Sequence, residues 1–313
     1  MGRGPSVKRM MMWGLAILVL GLAALALWLY TPDRPRAALE AAYLRAPADL
    51  VDVAGVRLHL RDEGPKTARA VVLLHGIGSS LHTFDDWAKG LVPRYRVIRY
   101  DLPGAGLSGP DPEALYSDER AVAQLLAVLD HLGVARATLA GNSIGGRLAW
   151  RFAAAHPDRV EGLILIAPDG YASPGFDYGK PPAVPAVLEA MRFALPKWAL
   201  RPNIAAAYAD PARLTDAVLE RYHALLLAPG NRAAMLDRMR QTVLVPPEPF
   251  LRGITVPVLL LWGQEDAMIP VANAQDYLAE LPDARLVTLP GVGHVPQEEA
   301  PDESLAPVLE FLD

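Results

Sequence analysis

Apolar and polar residues along this chain form blocks that predict strands and helices in turn. Short apolar runs, of the kind found in strands inside a sheet, lie at 70–74, 96–100, 137–140, 163–167, 257–262 and 285–289. Helical patterns lie between or after these runs, at 81–92, 117–133, 144–155, 270–281 and 303–312. Strands that alternate with helices predict right-handed crossovers and a mainly parallel sheet with helices on both faces.

This alternation stops between residues 170 and 252, where prolines separate helical stretches at 187–195, 214–227 and 232–243. We interpret this part as a helical cap inserted into one α/β domain. A hairpin over 51–60 precedes the first buried strand. The predicted divisions are an N-terminal segment 1–30, a tether 31–49, the first part of the core 50–169, the cap 170–252 and the second part of the core 253–313.

The N-terminal segment is different in kind, because Met10–Tyr30 is apolar and carries no charge. About 20 apolar residues are what a helix needs to cross the hydrocarbon core of a bilayer. Arg3, Lys8 and Arg9 precede the segment, and cationic residues favour the cytoplasmic side. We predict a single-pass anchor in the cytoplasmic (inner) membrane, with the N-terminus inside and the remaining chain on the outer, periplasmic side.

A cleaved signal peptide is the alternative, since Ala24-Leu25-Ala26 has the small residues of a cleavage site. The apolar run continues to Tyr30, beyond the roughly 7 to 15 residues of a signal sequence, and ends in aromatic residues suited to a membrane interface. We therefore favour the uncleaved anchor. Both interpretations place the remaining chain outside the cytoplasm.

Composition excludes several classes of function. The chain has 313 residues, of which 52% are hydrophobic and 21% charged, as in globular proteins. Its formal net charge of -5 provides no basic field for phosphates, so nucleic acid is not an expected partner. With no cysteine, the chain has no thiol nucleophile or thiolate metal site. No metal-binding spacing such as H-E-x-x-H occurs, and we predict neither a metal nor a cofactor.

The clearest chemical signal is the sequence GNSIGG at 141–146, between a predicted strand and a predicted helix. A sharp turn there projects the side chain of Ser143 above the sheet edge, and Gly141 and Gly145 permit the close approach of the backbone. The turn also places Ser143 at a helix N-terminus, where free N–H groups face a developing oxyanion. Ser143 is therefore the predicted nucleophile.

A serine hydroxyl needs a base, and the base needs an acceptor that orients it. Among seven histidines, His294 is the preferred base because it lies in a glycine-rich loop after the last predicted strand. Asp266 follows the strand before it, so both side chains reach one edge of a parallel sheet. Asp169, just after the 163–167 run, stays an alternative acid, and His75 is expected to order its own loop.

Catalysis by such a serine also needs main-chain donors for the tetrahedral oxyanion. The N–H of Ile144 directly follows the nucleophile. The second donor is expected to be the N–H of Ile77, in the loop HGIG at 75–78.

These motifs resemble the α/β-hydrolase family over residues 52–313. The landmarks are HG at 75–76, DLPGAGLSG at 101–109, GNSIGG at 141–146, QEDAMIP at 264–270 and GHVPQEEAP at 293–301. The resemblance implies the family's order of nucleophile, acid and histidine. Haloalkane dehalogenases and epoxide hydrolases of this fold carry an aspartate in place of Ser143. Hydrolases of ring-fission products resemble the chain in GNS-x-GG but usually have tryptophan in place of Val295.

The GHVP sequence is more similar to esterases and monoacylglycerol-type lipases, some of which are tethered by one N-terminal helix. We therefore predict a membrane-anchored serine hydrolase of carboxylic esters, with a small-molecule or lipid-like monoacyl substrate and an acyl-enzyme on Ser143. A carbon–carbon bond hydrolase, a cofactor-free haloperoxidase-like enzyme and a non-catalytic binding protein stay open. The acyl length, the alcohol and the oligomeric state are not predicted.

Apolar residues of the cap favour a lipid-like acyl chain, and they fit the cap's own packed core equally well. They are Val187, Leu188, Met191, Phe193, Leu195 and Trp198.

Overall fold

An eight-stranded sheet forms the centre of the structure, a computed structural model that describes residues 7–173 and 176–313. The strands are β1 Leu50–Val53, β2 Val56–Glu63, β3 Ala70–Leu74, β4 Arg96–Tyr100, β5 Ala137–Asn142, β6 Val160–Ile166, β7 Val258–Gly263 and β8 Ala284–Leu289. Their order across the sheet is β1-β2-β4-β3-β5-β6-β7-β8. The strands from β3 to β8 pair in parallel, whereas β1 and β2 form the predicted antiparallel hairpin. The mainly parallel sheet is confirmed.

Helices cover both faces of this sheet. The α-helices of the described ranges are α1 Val7–Leu29, α2 Arg36–Tyr43, α3 Asp85–Leu91, α4 Asp118–His131, α5 Ile144–Ala155, α6 Ala186–Glu189, α7 Lys197–Ala205, α8 Asp216–Leu226, α9 Asn231–Gln241, α10 Glu248–Leu251, α11 Ala274–Glu280, α12 Pro296–Glu299 and α13 Pro301–Leu312. Side chains alternate between the faces of a strand. Val72 and Leu74 therefore pack against α4 and α5, and Val71 and Leu73 pack against α3 and α13.

The N-terminal helix α1 stands apart from this core, since none of its residues is buried. It has 23 residues and spans about 35 Å at 1.5 Å per residue, enough for a hydrocarbon core of about 30 Å. Helix α1 is long and apolar enough to cross a membrane. Its described residues include Lys8 and Arg9, so the helix extends before Met10, where the apolar run was predicted to start. The third predicted cation, Arg3, lies outside the described residues.

The segment between β6 and β7 contains five helices, α6 to α10, in its described residues. Helix α7 is absent from the sequence prediction, which treated prolines as interruptions. Pro196 precedes the helix as its N-cap, and Pro202 lies inside it. Proline at the start of a helix costs little, and one missing hydrogen bond inside it is tolerated here.

Candidate active site

The turn between β5 and α5 holds Ser143 in the backbone geometry that the sequence predicts. Ser143 has φ 56° and ψ -121°, a strained conformation for a residue with a side chain. The turn is tight enough that a Cβ on Gly141 would collide with the carbonyl of Gly145, and one on Gly145 with the carbonyl of Leu74. Only glycine fits at these two positions. The Ser143 N–H donates to the Ile166 carbonyl at 3.0 Å, which fixes the turn to β6.

His294 and Asp266 meet at the edge of the sheet beside this turn. The Nδ1 of His294 lies 2.8 Å from Oδ2 of Asp266, and both side chains are buried. The other oxygen of Asp266 accepts the N–H groups of Met268 and Ile269, each at 2.8 Å. Because a carboxylate oxygen accepts hydrogen bonds, its contact with Nδ1 favours the tautomer of His294 that carries the proton on Nδ1. Nε2 is then free to accept a proton.

The alternative acid, Asp169, has a different partner. Its carboxylate accepts a hydrogen bond at 2.7 Å from Arg147, a buried residue of α5 that also pairs with Asp118 at 3.0 Å. Asp169 thus balances the charge of a buried guanidinium. The structure brings Ser143, Asp266 and His294 together and assigns Asp169 to another ion pair.

Ser143 and His294 line the same two cavities, but no hydrogen bond joins the Ser143 hydroxyl to His294 within the described part of the chain. Such bonds are often long in an enzyme without substrate and tighten when substrate binds. The hydroxyl reaches other positions by rotation about one side-chain torsion. Ser143 and His294 thus face the same cavities, and a substrate in either one would contact both residues.

The loop of His294 is held from two sides by residues that sequence reasoning missed. Asn142, next to the predicted nucleophile, donates to the His294 carbonyl at 2.9 Å. The His294 N–H donates to the carbonyl of Ala207, in the segment between β6 and β7, at 2.7 Å. Glu299 accepts the N–H groups of Gly293 at 2.6 Å and of Asp210 at 3.0 Å. Asn142 and Glu299 lie inside quoted motifs, whereas a contact to the carbonyl of Ala207 has no sequence signal.

The two predicted oxyanion donors have free N–H groups. Within the described ranges, the N–H groups of Ile77 and Ile144 donate to no protein atom. The loop of Ile77 lies close to the turn, since a Cβ on Gly76 would be 3.4 Å from the Cβ of Ser143. Two free N–H groups beside a serine are what a tetrahedral oxyanion requires.

His75 fixes the orientation of one of these donors. Its Nδ1 donates to the Gly76 carbonyl at 2.8 Å, and its Nε2 accepts the Leu102 N–H at 2.9 Å. The Gly76 carbonyl and the Ile77 N–H belong to one planar peptide unit, so a bond to the carbonyl sets the direction of the N–H. His75 thus orders its loop as predicted, and only the neutral ring makes both bonds.

The buried carboxylate of Asp101 holds the two neighbouring loops together. It accepts hydrogen bonds from Nδ1 of His59 at 2.8 Å and from the N–H groups of Leu81 and Leu107 at 2.7 Å each. His59 and neighbouring histidines lower the pKa of Asp101 to about 2, against the opposing effect of its burial. The charged form is therefore the one that orders this side of the site.

Two cavities open beside Ser143. The larger, of about 220 Å³, has an apolar wall formed by Tyr171, Phe176, Leu244, Met268, Ile269, Pro270 and Tyr277. The smaller, of about 80 Å³, lies on the side of the Ile77 loop and is lined by Asn203 and Ile204 of α7 and by Tyr222. Among the described residues, neither wall contains a lysine or an arginine. The larger wall also includes the carboxylate of Asp169, so the two walls together disfavour an anionic substrate.

Comparison with known families identifies the fold. The family profile described as the alpha/beta hydrolase fold matches residues 69–301. This chain belongs to the α/β-hydrolase family. The relatives of this hydrolase carry the names of different enzymes.

One relative is the dihydrolipoyllysine-residue acetyltransferase component of an acetoin cleaving system from Pseudomonas putida, which is 32% identical over 83% of the hydrolase and 68% of its own length. Another is the 2-hydroxy-6-oxo-6-phenylhexa-2,4-dienoate hydrolase from Burkholderia cepacia, 29% identical over 82% of the hydrolase and 91% of its own length. Among solved structures, a bacterial membrane phospholipase A, described as a virulence factor, has a TM-score of 0.72 and 28% identity. That similarity covers 98% of both chains.

The hydrolase should lose stability as the pH falls below about 6.5, the ordinary pKa of histidine. Burial lowers the pKa of His75, His82 and His223 in the folded protein. The unfolded chain therefore binds more protons in this range, and acid favours unfolding. We expect the melting temperature to fall as the pH is lowered from about 7.5 to about 5.5, on either side of that ordinary pKa.

The His75→Asn variant should show a shallower fall, because it removes one group that must stay neutral in the folded state. The matched control is His131→Asn, at the exposed C-terminal end of α4, which should keep the slope of the parent. A melting temperature that rises on acidification, or an equal slope in His75→Asn and the parent, would contradict this prediction.

Proposed function

We propose that this protein is a serine hydrolase of carboxylic esters that acts at a membrane on lipid-like monoacyl substrates. The observation that carries the proposal is the convergence of Ser143, His294 and Asp266 beside two free main-chain N–H groups and an apolar cavity. A histidine oriented by a buried carboxylate next to a strained serine is the arrangement that acyl transfer requires.

The roles follow from this geometry. Ser143 attacks the ester carbonyl and passes its proton to Nε2 of His294, which gives it to the leaving alcohol. Asp266 keeps the proton of the imidazole on Nδ1 and stabilises the imidazolium that forms. The N–H groups of Ile77 and Ile144 hold the oxyanion. Water, activated by His294, then cleaves the acyl-enzyme and restores the serine.

A carbon–carbon bond hydrolase is the second candidate, because several relatives carry that activity in their names. A dienoate substrate of that kind has a carboxylate, which needs a cationic partner in the pocket. The described residues of the two cavity walls supply none. Arg221, next to the wall residue Tyr222, is paired with Glu298. Arg238 lines a separate cavity of only about 20 Å³ beside Ile77 and Ile144, and its guanidinium donates to the Pro103 carbonyl at 2.9 Å. The lack of a cation in the described parts of the two walls that Ser143 lines supports a neutral ester over a carboxylate-bearing substrate.

We also propose that α1 is an uncleaved anchor in the cytoplasmic membrane, with the hydrolase domain on the outer side. The length and exposure of α1 support a spanning helix, and the similarity to a membrane phospholipase A extends over the N-terminal segment. The cations Lys8 and Arg9, directly before the apolar stretch of α1, support a cytoplasmic N-terminus.

The full-length protein in detergent or vesicles should prefer esters of medium acyl length and monoacylglycerols over acetyl and butyryl esters. The apolar wall of the larger cavity removes acyl methylene groups from water, each worth about 0.8 kcal/mol when buried. The test measures kcat/KM across p-nitrophenyl esters of graded length, with a ring-fission dienoate as the competing substrate class.

Faster turnover of the dienoate than of every ester would replace the ester proposal with the carbon–carbon alternative. If kcat/KM is higher for acetyl esters than for octanoyl esters, the protein is a serine esterase without a preference for lipid-like substrates. After a high-salt wash the protein should stay in the membrane fraction, and release into the supernatant would contradict the anchor.

A further inference from the structure

The chain that leaves α1 is hydrogen-bonded to the cap, residues 170–252, which is inserted between β6 and β7. The Thr31 N–H donates to the Phe193 carbonyl at 2.8 Å, and the Leu195 N–H donates to the Thr31 hydroxyl at 3.1 Å. Arg232 donates to the Thr31 carbonyl at 2.8 Å and to the carboxylate of Asp33 at 2.6 Å. The chain is therefore attached to the cap directly after α1 ends.

Further contacts extend this attachment. The Arg34 N–H donates to the Leu227 carbonyl at 2.8 Å, and the Arg34 guanidinium pairs with Glu220 of α8 at 2.6 Å. Leu39 of α2 is buried in a cluster that includes Leu225 of α8. The segment predicted as a tether is thus packed on the cap, which fixes the cap's position relative to α1.

Three large apolar side chains of the cap face solvent, and two of them, Phe193 and Trp198, lie beside this attachment. Val187 is 74% exposed, Phe193 64% and Trp198 62%. Trp28, in the last turn of α1, stacks on Trp198 with ring centroids 6.2 Å apart. Leu195 of the same region is buried in the cap's own core. We call Val187, Phe193 and Trp198 the cap apolar surface.

The position of Trp28 identifies what covers this surface. Tryptophan near the end of a spanning helix lies in the interfacial layer of a bilayer, which is about 5 to 8 Å deep on each side. The ring of Trp198 lies 6.2 Å from that of Trp28, so the two rings differ in depth by no more than about the thickness of this layer. Apolar side chains exposed at such a place gain free energy when lipid removes them from water.

We infer that the cap apolar surface docks on the phospholipid bilayer that holds α1. The inference rests on the proposed membrane anchoring, and it adds that the cap, rather than the sheet, faces the lipid. Helix α7 carries Trp198 near one end and the cavity residues Asn203 and Ile204 near the other. About five residues of helix span about 7.5 Å. A monoacyl ester in the outer leaflet therefore reaches Ser143 along α7 with a short exposed path.

Single cysteines test this arrangement, because the chain contains none of its own. The variants Phe193→Cys and Trp198→Cys of the full-length protein are labelled with an NBD fluorophore and placed in phosphatidylcholine–phosphatidylglycerol vesicles. Nitroxide on a shallow acyl carbon quenches probes at the bilayer interface, and nitroxide on a deep acyl carbon quenches probes in the hydrocarbon core. The control Leu18→Cys reports the middle of α1, and Phe250→Cys reports an exposed apolar residue of α10.

We expect shallow nitroxide lipid to quench probes at 193 and 198, deep nitroxide lipid to quench the probe at 18, and neither to quench the probe at 250. If the probe at position 18 is quenched while the probes at 193 and 198 behave like the probe at 250, the cap apolar surface does not touch the bilayer, and the anchor still stands. If the probe at position 18 is not quenched, the proposed anchor is wrong, and this inference is wrong with it. Neither result depends on ester hydrolysis, so the catalytic proposal is tested separately.

A rate measurement tests the consequence for substrate entry. In Phe193→Ser/Trp198→Ser, the ratio of hydrolysis rates for a vesicle-embedded ester and a water-soluble ester should fall about tenfold, the effect of roughly 1.4 kcal/mol. Phe250→Ser should keep the ratio of the parent. An unchanged ratio in the double variant would overturn the entry route along α7.

Discussion

Ser143→Ala should lower kcat for ester hydrolysis by about 10³- to 10⁶-fold while the protein stays folded. The hydroxyl is the atom group that forms the covalent bond, and without it His294 has no nucleophile to activate. Alanine keeps the Cβ at the strained φ of 56°, so the backbone cost of the turn does not change. The measurements are kcat on a soluble ester, the melting temperature and labelling by a fluorophosphonate probe.

The matched control is Ser79→Ala. Ser79 lines the smaller cavity beside Ser143, and its hydroxyl donates to Tyr222 at 3.3 Å. This variant should keep most of the activity and all of the labelling. If Ser143→Ala retains more than a few per cent of the parent rate in pure protein, another residue is the nucleophile.

The turn around Ser143 was predictable because its cause is local. A strand, a serine between close glycines and a helix occupy consecutive positions, and steric exclusion at Gly141 and Gly145 allows little else. The mainly parallel pairing of the sheet follows from the alternation of strands and helices in the same way. Local sequence therefore carries most of the fold of the core.

The choice between Asp266 and Asp169 could not be settled from sequence alone. Both residues follow parallel strands and reach the same edge of the sheet. The difference comes from Arg147, which lies one turn after Ser143 on α5 and occupies the carboxylate of Asp169. The packing of α5 against the sheet decides which carboxylate pairs with the buried Arg147. The spacing of residues in the sequence does not predict this packing.

The cap shows a similar limit of sequence reasoning. Its six apolar residues fit both a packed core and a lipid-facing surface by composition alone. The structure divides them, since Leu195 is buried, Leu188 and Met191 are half-buried, and Val187, Phe193 and Trp198 are exposed. The division depends on how the cap packs on itself, since Leu195 and Met191 join Leu200, Leu214 and Leu219 in one cluster whose members are far apart in the sequence.

Asp266→Asn should lower kcat by about 10⁴-fold, far more than Asp169→Asn. The N–H groups of Met268 and Ile269 each donate to Oδ1 of Asp266 at 2.8 Å. In Asp266→Asn, the amide oxygen takes the place of Oδ1 and accepts the same two hydrogen bonds. The NH₂ group of the asparagine then faces Nδ1 of His294. Two donors cannot share a hydrogen bond, so the imidazole moves its proton to Nε2 and can no longer accept the proton of Ser143.

Asp169→Asn removes a charge partner of the buried Arg147, which keeps its ion pair with Asp118. This loss should lower the melting temperature and leave the His294 tautomer intact, because the His294 ring is oriented by Asp266. Measuring kcat and thermal stability for both variants separates the two effects: activity falls in Asp266→Asn, and stability falls in Asp169→Asn. If Asp169→Asn instead loses the larger share of kcat at unchanged melting temperature, then Asp169 is the acid that acts on His294, and the 2.8 Å contact with Asp266 serves only to hold the loop.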